Sequence, residues 1–114
     1  MRFLVPRAKL TEYLLNPKHP EGGSKARFFI ALGFSPGAPE ALEEALLRHA
    51  AEAEEVARRP GFLGQGLVLV LRGPLRSPGR QVLLQSVWYH EEEGAAARLA
   101  TAYPWKGRRC GSTS

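Results

Sequence analysis

Aspartate is absent from this sequence: all eleven acidic residues are glutamates, and six of them lie between residues 40 and 55. Metal-dependent nucleases and phosphatases usually gather several carboxylates around one or two ions. Elsewhere the acids cluster only at Glu91, Glu92 and Glu93, and three consecutive side chains do not easily converge on one ion. The composition therefore argues against a metal-dependent hydrolase, and we expect neither a metal nor another cofactor.

Cysteine and long apolar runs are also scarce. The single cysteine, Cys110, excludes an intrachain disulfide and a cysteine-based zinc site. No apolar run is longer than that of residues 67–71, which is far too short to span a bilayer. Pro6 and Arg7 end the apolar start of the chain too early for a signal peptide. These absences predict a cytoplasmic protein without a membrane partner.

Charge is distributed unevenly along the chain. The 114 residues carry a net charge of +5, whereas residues 40–55, with six glutamates and one arginine, carry −5, which leaves +10 for the rest. A basic body with one acidic helix is the electrostatic footprint of a polyanion binder such as an RNA-binding protein. Arginine outnumbers lysine twelve to four, a bias that is also typical of GC-rich, thermophilic sources and needs no function.

The order of the periodic patterns predicts one α+β domain over residues 1–105, followed by a flexible basic and polar tail, 106–114. Helical spacing indicates helices at residues 9–16 and 24–32, with Gly33 as a glycine C-cap, and a third that begins at Pro39. Strand patterns at residues 55–59, 65–72, 81–89 and 97–103 are separated by glycine and proline turns. We therefore expect about three N-terminal helices packed on one face of a four-stranded antiparallel sheet.

Residues 22–27, Gly-Gly-Ser-Lys-Ala-Arg, are the most informative stretch. Ser24 is a good helix N-cap, and the helix start presents unpaired backbone N–H groups beside the charges of Lys25 and Arg27. A phosphate would fit such a helix start. An ordinary capped helix with solvated cations explains the same residues equally well.

His19 is the best placed of the three histidines for chemistry, because it lies with Lys18 in the polar turn before this cationic helix start. An ordinary surface histidine is the alternative. His49 falls on the apolar stripe of the third helix and is interpreted as a packing residue.

The last two strands contribute further candidates. Alternation along the last strand places Thr101 and Tyr103 on one face with Leu99, and Arg98 on the other face with the alanines. Trp88 on the preceding strand either offers a stacking platform for a base or fills the core.

Several of these segments together resemble an uncharacterised bacterial domain family. In order they are Tyr13-Leu14-Leu15, His19-Pro20, Gly22-Gly23-Ser24-Lys25-Ala26, Phe28-Phe29, Val87-Trp88-Tyr89 and the strand from Arg98 to Pro104. That family is a domain of unknown function, found as small stand-alone proteins and attached to larger toxin-like chains. The strand end Thr101-Ala102-Tyr103-Pro104 also resembles, more distantly, the superfold of barnase, EndoU, colicin-type and RelE-type ribonucleases. Those enzymes place helices before a four-stranded antiparallel sheet and cut RNA without metal, using the 2′-hydroxyl as internal nucleophile.

The resemblance implies a catalytic site. His19 would be the general acid or base, Lys25 would stabilise charge on the phosphoryl oxygens, and Thr101 and Tyr103 would hydrogen-bond the phosphate or sugar. Substrate contacts are also expected from Lys18, Ser24, Arg27, Trp88 and Arg98. Many such enzymes use a pair of histidines, and this chain has no second histidine whose position clearly fits the site. Either a tyrosine or a lysine takes its place, or the activity has been lost.

Two functions remain open at this stage. The first is a metal-independent ribonuclease of toxin-like ancestry that acts by general acid–base catalysis. The second is a non-catalytic nucleic-acid-binding or protein-interaction module, one partner of a toxin–antitoxin-like pair, with the acidic helix docking a basic protein.

Overall fold

The computed structural model of the chain describes residues 2–20 and 23–105. The expected flexible tail, 106–114, lies outside the described residues. In chain order the elements are β1 (Phe3–Leu4), α1 (Arg7–Lys9), a π-helical turn (Leu10–Leu14), α2 (Gly23–Ala31), α3 (Pro39–Glu52), β2 (Glu54–Pro60), a 3₁₀ turn (Phe62–Gly64), β3 (Leu67–Arg76), β4 (Gln81–His90) and β5 (Ala97–Pro104).

The strands form one sheet in the order β1-β5-β4-β3-β2. Strands β2 to β5 pair antiparallel as expected, but β1 adds a fifth strand that runs parallel to β5, with Phe3 opposite Ala97 and Leu4 opposite Arg98. The α+β class is confirmed, and the expected four-stranded antiparallel sheet is wrong: the sheet is five-stranded and mixed. A strand of two residues has no periodicity to detect. The aromatic edge contact of Phe3 with Trp88, at a ring-centroid distance of 5.0 Å, packs this segment against the sheet.

The core lies between the helices and one face of the sheet. Its largest fully buried side chains are Trp88, Phe29, Leu10, Leu14, Leu15, Leu32, Leu42, Leu46, Leu69, Leu75, Leu84 and His49. The helices therefore cover a single sheet face, which leaves the opposite face free to carry polar side chains. No helix within residues 2–20 and 23–105 has the length and apolar character needed to cross a membrane.

Local signals account for most helix ends. Gly33 adopts φ +106°, a left-handed conformation that favours glycine, so the expected glycine C-cap is confirmed. Pro39 is the first residue of α3, where its missing N–H costs nothing. The expected N-cap role of Ser24 is wrong, because α2 already begins at Gly23. Ser24 lies instead in the first helical turn, where it is exposed.

Gly23 joins α2 to the preceding turn. Its N–H donates to the carbonyl of His19 at 3.0 Å. A Cβ at this position would lie only 2.6 Å from the carbonyl oxygen of Pro17, so a side chain here would force the turn away from the helix. The turn that carries His19 is thus held against the start of α2 by a close backbone approach that only glycine permits.

The expected alternation on β5 is broken by a bulge. Val87 pairs with Thr101, whereas the next residue, Trp88, pairs with Leu99, so that Ala100 is the extra residue on β5. Leu99 and Ala102 are consequently both buried in the core. The prediction that Leu99 shares a face with Thr101 and Tyr103 is therefore wrong. The prediction that Arg98 lies on the other face is wrong as well, because Arg98, Thr101 and Tyr103 pair with Tyr89, Val87 and Gln85, which share one face of β4.

A buried polar network joins α3 to β3 and β4. His49 Nδ1 lies 3.2 Å from the carbonyl oxygen of Pro74, and His49 Nε2 lies 2.7 Å from Ser86 Oγ, which also accepts the indole N–H of Trp88 at 2.7 Å. A carbonyl can only accept, so Nδ1 carries the proton and Nε2 accepts the hydrogen of Ser86. His49 is only 1% exposed, which confirms it as a packing residue.

Candidate active site

Tyr13 is the centre of a cluster that joins three separate segments of the chain. Its hydroxyl forms a hydrogen bond with Thr101 Oγ1 at 3.3 Å, and its ring meets the His19 ring edge-on at a centroid distance of 5.0 Å. The ammonium group of Lys25 lies 5.7 Å from the Tyr13 ring centroid, and that of Lys9 lies 5.1 Å from it. We call these five residues the Tyr13 cluster.

The local backbone explains how Tyr13 reaches this position. It belongs to the π-helical turn, in which the N–H of Leu15 bonds the carbonyl of Leu10 at 2.8 Å. Leu10 and Leu14 are completely buried and anchor one side of the turn, whereas Tyr13 is half-buried. Single π-helical turns are uncommon and frequently occur at functional sites.

The cluster changes the acidity of the Tyr13 phenol. The hydrogen bond with Thr101 lowers the pKa of Tyr13 below its ordinary value, and the positive charges of Lys25 and Lys9 act in the same direction, against the raising effect of burial. A phenol with a lowered pKa exchanges its proton more readily than an ordinary tyrosine. A shifted pKa beside cations is typical of residues in acid–base sites.

A groove of about 500 Å³ runs next to the cluster, between the start of α2 and the end of β5. It is lined by Ser24, Lys25, Phe28, Tyr103 and Pro104. Lys25 therefore belongs to both the cluster and the groove. The groove offers an ammonium group, hydroxyl groups and an aromatic ring, a combination that suits a phosphate joined to a sugar and base.

Tyr103 is connected to the exposed sheet face by a row of polar side chains on neighbouring strands. Arg72, Gln85 and Tyr103 lie opposite one another on β3, β4 and β5. The Nε and Nη2 atoms of Arg72 both donate to Gln85 Oε1, at 3.1 and 2.9 Å, and Gln85 Nε2 donates to the Tyr103 hydroxyl at 2.8 Å. The Arg72 guanidinium lies 3.7 Å above the ring centroid of Trp105.

The four expected catalytic residues are thus brought together in part. His19, Lys25 and Thr101 meet around Tyr13, and Tyr103 joins Lys25 in the groove. Tyr13, at the centre of these contacts, was not among the expected site residues, because a tyrosine at helical spacing has the pattern of a packing residue.

The expected substrate-binding residues are more dispersed. Ser24 lines the groove, and Lys18 and Arg27 are exposed on the turn and on α2. Arg98 lies on β5 opposite Tyr89 and forms an ion pair with Glu91 at 3.8 Å.

Trp88 is completely buried, so it fills the core, the second of the two roles that the sequence allowed for it. A base cannot stack on it without disrupting that core. Trp105, which is half-buried beside Arg72, is the indole that lies at the polar face.

The acidic segment is not a single helix. α3 ends at Glu52, and Glu54 and Glu55 belong to β2. Three of its carboxylates form ion pairs within the chain: Glu40 with Arg7, Glu52 with Arg76 and Glu55 with Arg58. Part of the negative charge of this segment is therefore neutralised by arginines of the same chain. Within residues 2–20 and 23–105 no three His, Cys or Glu side chains are grouped so that they would hold a metal ion.

The fold and this site define a small α+β protein with a cationic, hydroxyl-rich groove at the edge of its sheet. The chain belongs to the family described as "Domain of unknown function (DUF6883)", which it matches over residues 1–106. The expected resemblance to an uncharacterised domain family is thereby confirmed.

Two further comparisons concern individual proteins. No curated protein matches the chain. One chain of a solved structure, a contact-dependent growth inhibition toxin–immunity protein complex from Klebsiella pneumoniae 342, is similar over 90% of this chain and 93% of that chain. The TM-score is 0.69 and the sequence identity is 16%, so this likeness shows a shared fold.

Proposed function

We propose that the protein is a metal-independent ribonuclease of toxin-like ancestry whose active site is the Tyr13 cluster and the adjoining groove. The observation that carries the proposal is the meeting of His19, Lys25 and Thr101 around Tyr13, with Thr101 brought from a strand 88 residues away in sequence. The shared fold with a chain of a toxin–immunity complex supports a toxin-like ancestry.

The reaction would use the 2′-hydroxyl of RNA as nucleophile. The O2′–P bond forms and the P–O5′ bond breaks; the base takes the 2′-hydroxyl proton, and the acid gives a proton to O5′. The products are a 2′,3′-cyclic phosphate and a 5′-hydroxyl end. No water enters this step, because the nucleophile belongs to the substrate.

Each member of the site has a distinct task in this scheme. An imidazole accepts a proton and a phenol donates one, so His19 serves as the base and Tyr13 as the acid. Tyr13 thereby takes the place of the second histidine that many metal-independent ribonucleases use. Lys25 stabilises the charge that develops on the non-bridging oxygens. Thr101 holds the Tyr13 hydroxyl, and Tyr103 bonds the phosphate or sugar from the groove.

Incubation of a single-stranded RNA oligonucleotide with the purified protein in EDTA tests the proposal. We expect cleavage that leaves 2′,3′-cyclic phosphate ends, with the matching DNA and 2′-O-methyl RNA intact. His19→Ala, Lys25→Ala and Tyr13→Phe should each lower the rate by about 100-fold or more. Cleavage of DNA, dependence on an added metal, or an unchanged rate in Lys25→Ala would contradict the proposal.

Matched controls separate chemistry from charge and folding. Arg80→Ala removes one exposed positive charge from the turn between β3 and β4. Tyr89→Phe removes a hydroxyl that bonds the carbonyl of Gln65 at 3.2 Å, away from the groove. Both variants should retain cleavage within a few-fold of the wild type.

RNA binding should weaken steeply with salt, because phosphate contacts release counterions. Titration of a labelled 2′-O-methyl RNA at about 50 and 200 mM salt measures this dependence. Absence of binding at the lower salt concentration would contradict RNA as the substrate.

A second candidate is a non-catalytic interaction module that binds a protein partner through α3. Its support is the toxin–immunity complex in which the related fold occurs, together with the glutamates on α3. RNA that is bound but left intact by the wild type would favour this function over the first.

A further inference from the structure

The polar row on the exposed sheet face determines which way the Tyr103 hydroxyl can bond. Arginine has only donors, and both Nε and Nη2 of Arg72 point at one atom of the Gln85 amide, at 3.1 and 2.9 Å. That atom must be the amide oxygen. The amide nitrogen of Gln85 therefore faces Tyr103, whose hydroxyl it meets at 2.8 Å.

The orientation of the Gln85 amide leaves the Tyr103 hydroxyl hydrogen unused on this side. Since the amide nitrogen can only donate, the phenolic oxygen accepts, and the hydroxyl hydrogen is not used in the bond with Gln85. Tyr103 also lines the groove that contains Lys25 and Ser24. Its hydrogen is thus available to an acceptor bound there, such as a phosphate oxygen.

Arg72 is itself held in place. Its guanidinium stacks 3.7 Å above the Trp105 ring, and the Trp105 backbone N–H bonds the carbonyl of Leu83 on β4 at 3.0 Å. The register of the sheet places Arg72, Gln85 and Tyr103 directly opposite one another. Strand pairing and indole stacking together leave the row little freedom to reverse.

We propose that Arg72 and Gln85 are positioning residues that hold the Tyr103 hydroxyl as a hydrogen-bond donor to an anionic ligand, a phosphodiester, in the groove. The identity of the ligand, a phosphodiester, rests on the proposed function. The direction of the hydrogen bonds rests on the row alone.

We call the hydrogen-bonded row Arg72–Gln85–Tyr103 the relay. Gln85→Glu reverses the direction of its hydrogen bond with Tyr103 and changes the shape of the side chain very little. A carboxylate still accepts from Arg72, but it also accepts from Tyr103, so the hydroxyl hydrogen turns away from the groove. Gln81→Glu is the matched control: Gln81 lies on the same strand, accepts a bond from Arg76 at 3.0 Å, and gains the same negative charge. The difference between the two variants isolates the relay from simple electrostatic repulsion.

The assay is the dissociation constant of a labelled single-stranded 2′-O-methyl RNA, which cannot be cleaved through its 2′ oxygen, measured by fluorescence anisotropy. Tyr103→Phe should weaken binding by about 10-fold, the loss of one hydrogen bond to a charged group. Gln85→Glu should weaken it more than Gln81→Glu does. In the Tyr103→Phe background Gln85→Glu should weaken binding less than it does in the wild type, as a double-mutant cycle requires when one residue acts through another.

Other results overturn the proposal. An unchanged affinity in Tyr103→Phe would show that its hydroxyl does not bond the ligand, and an effect of Gln85→Glu that is equal in both backgrounds would show that Gln85 does not act through Tyr103. Cleavage of unmodified RNA is scored separately. If the variants bind as expected but the wild type does not cleave RNA, the positioning role of Arg72 and Gln85 is supported and the ribonuclease proposal is contradicted. If the wild type cleaves RNA and Tyr103→Phe binds normally, the ribonuclease proposal is supported and the positioning role is contradicted. A wild type that does not bind the probe overturns both.

Discussion

Replacing Ser86 by alanine should destabilise the fold strongly. Ser86 is completely buried and serves two partners, since its hydroxyl donates to His49 and accepts from the Trp88 indole. Truncation leaves a ring nitrogen and an indole N–H buried without a bond. Each such loss costs about 1–3 kcal/mol, so the two together should cost about 3 kcal/mol of the free energy of unfolding.

That cost is large for a domain of this size. Typical domains unfold with about 5–15 kcal/mol, and a loss of about 3 kcal/mol lowers the melting temperature of a domain of about 100 residues by roughly 10 °C or more. The indole of Trp88 lies inside the network, so its fluorescence should report the transition directly.

Urea denaturation followed by tryptophan fluorescence and circular dichroism measures the effect. The midpoint of Ser86→Ala should fall while the dependence on denaturant stays unchanged. Ser35→Ala, which removes an exposed hydroxyl that accepts one N–H from Gly37, is the control and should shift stability by no more than about 0.5 kcal/mol. A loss of less than about 1 kcal/mol in Ser86→Ala would refute the reasoning about unsatisfied buried groups.

Further predictions concern pH, the Tyr13 phenol and the turn before α2. Burial lowers the pKa of His49, against the raising effect of its bonds to the backbone; its contribution to stability is therefore complete above the unfolded value of about 6.5 and is lost as the pH falls through that value toward the lower folded pKa. Urea midpoints from pH 8 to pH 5 should show this loss in the wild type and lack it in His49→Leu; an identical slope in both proteins contradicts the argument. Thr101→Val should raise the pKa of Tyr13, because its largest lowering cause is removed; ultraviolet titration against Tyr13→Phe measures this, and an unchanged phenol titration argues against the bond. Gly23→Ala should destabilise the fold by about 1–3 kcal/mol and reduce RNA cleavage, since its Cβ would lie 2.6 Å from the Pro17 carbonyl oxygen; thermal melts and initial rates test this, and wild-type values in both would show that the turn relaxes without cost.

Local chemistry determined most of the elements. The change from helical spacing to alternation near residue 55 separates α3 from β2, and Pro39 and Gly33 mark helix ends through backbone rules that act within one or two residues. Ser77, Pro78 and Gly79 mark the turn between β3 and β4, but the strand predicted to end at residue 72 continues through Gly73 and Pro74 to Arg76. His49 was identified as a packing residue by its place on an apolar stripe, which the structure confirms.

Contacts between distant segments decided what local patterns could not. β1 is only two residues long. It forms because Phe3 packs on Trp88 and the backbone of residues 3–4 pairs with β5. The bulge at Ala100 arises in the pairing of β5 with β4, and no alternation rule applied to β5 alone contains it. Local patterns also did not predict that Trp88 lies in the core and Trp105 at the polar face, because these positions depend on contacts with other segments.

The candidate site shows the same division. The residue types at His19 and Lys25 pointed to phosphate chemistry because a polar turn and a cationic helix start are local features. Tyr13 was not recognised, since a tyrosine at helical spacing has the pattern of a packing residue. Its chemical character comes from a hydroxyl contact with Thr101, 88 residues away, and from the ammonium group of Lys25 on α2, beside that of Lys9 one helical turn earlier. A pKa depends on such through-space neighbours, and only the folded chain brings them together.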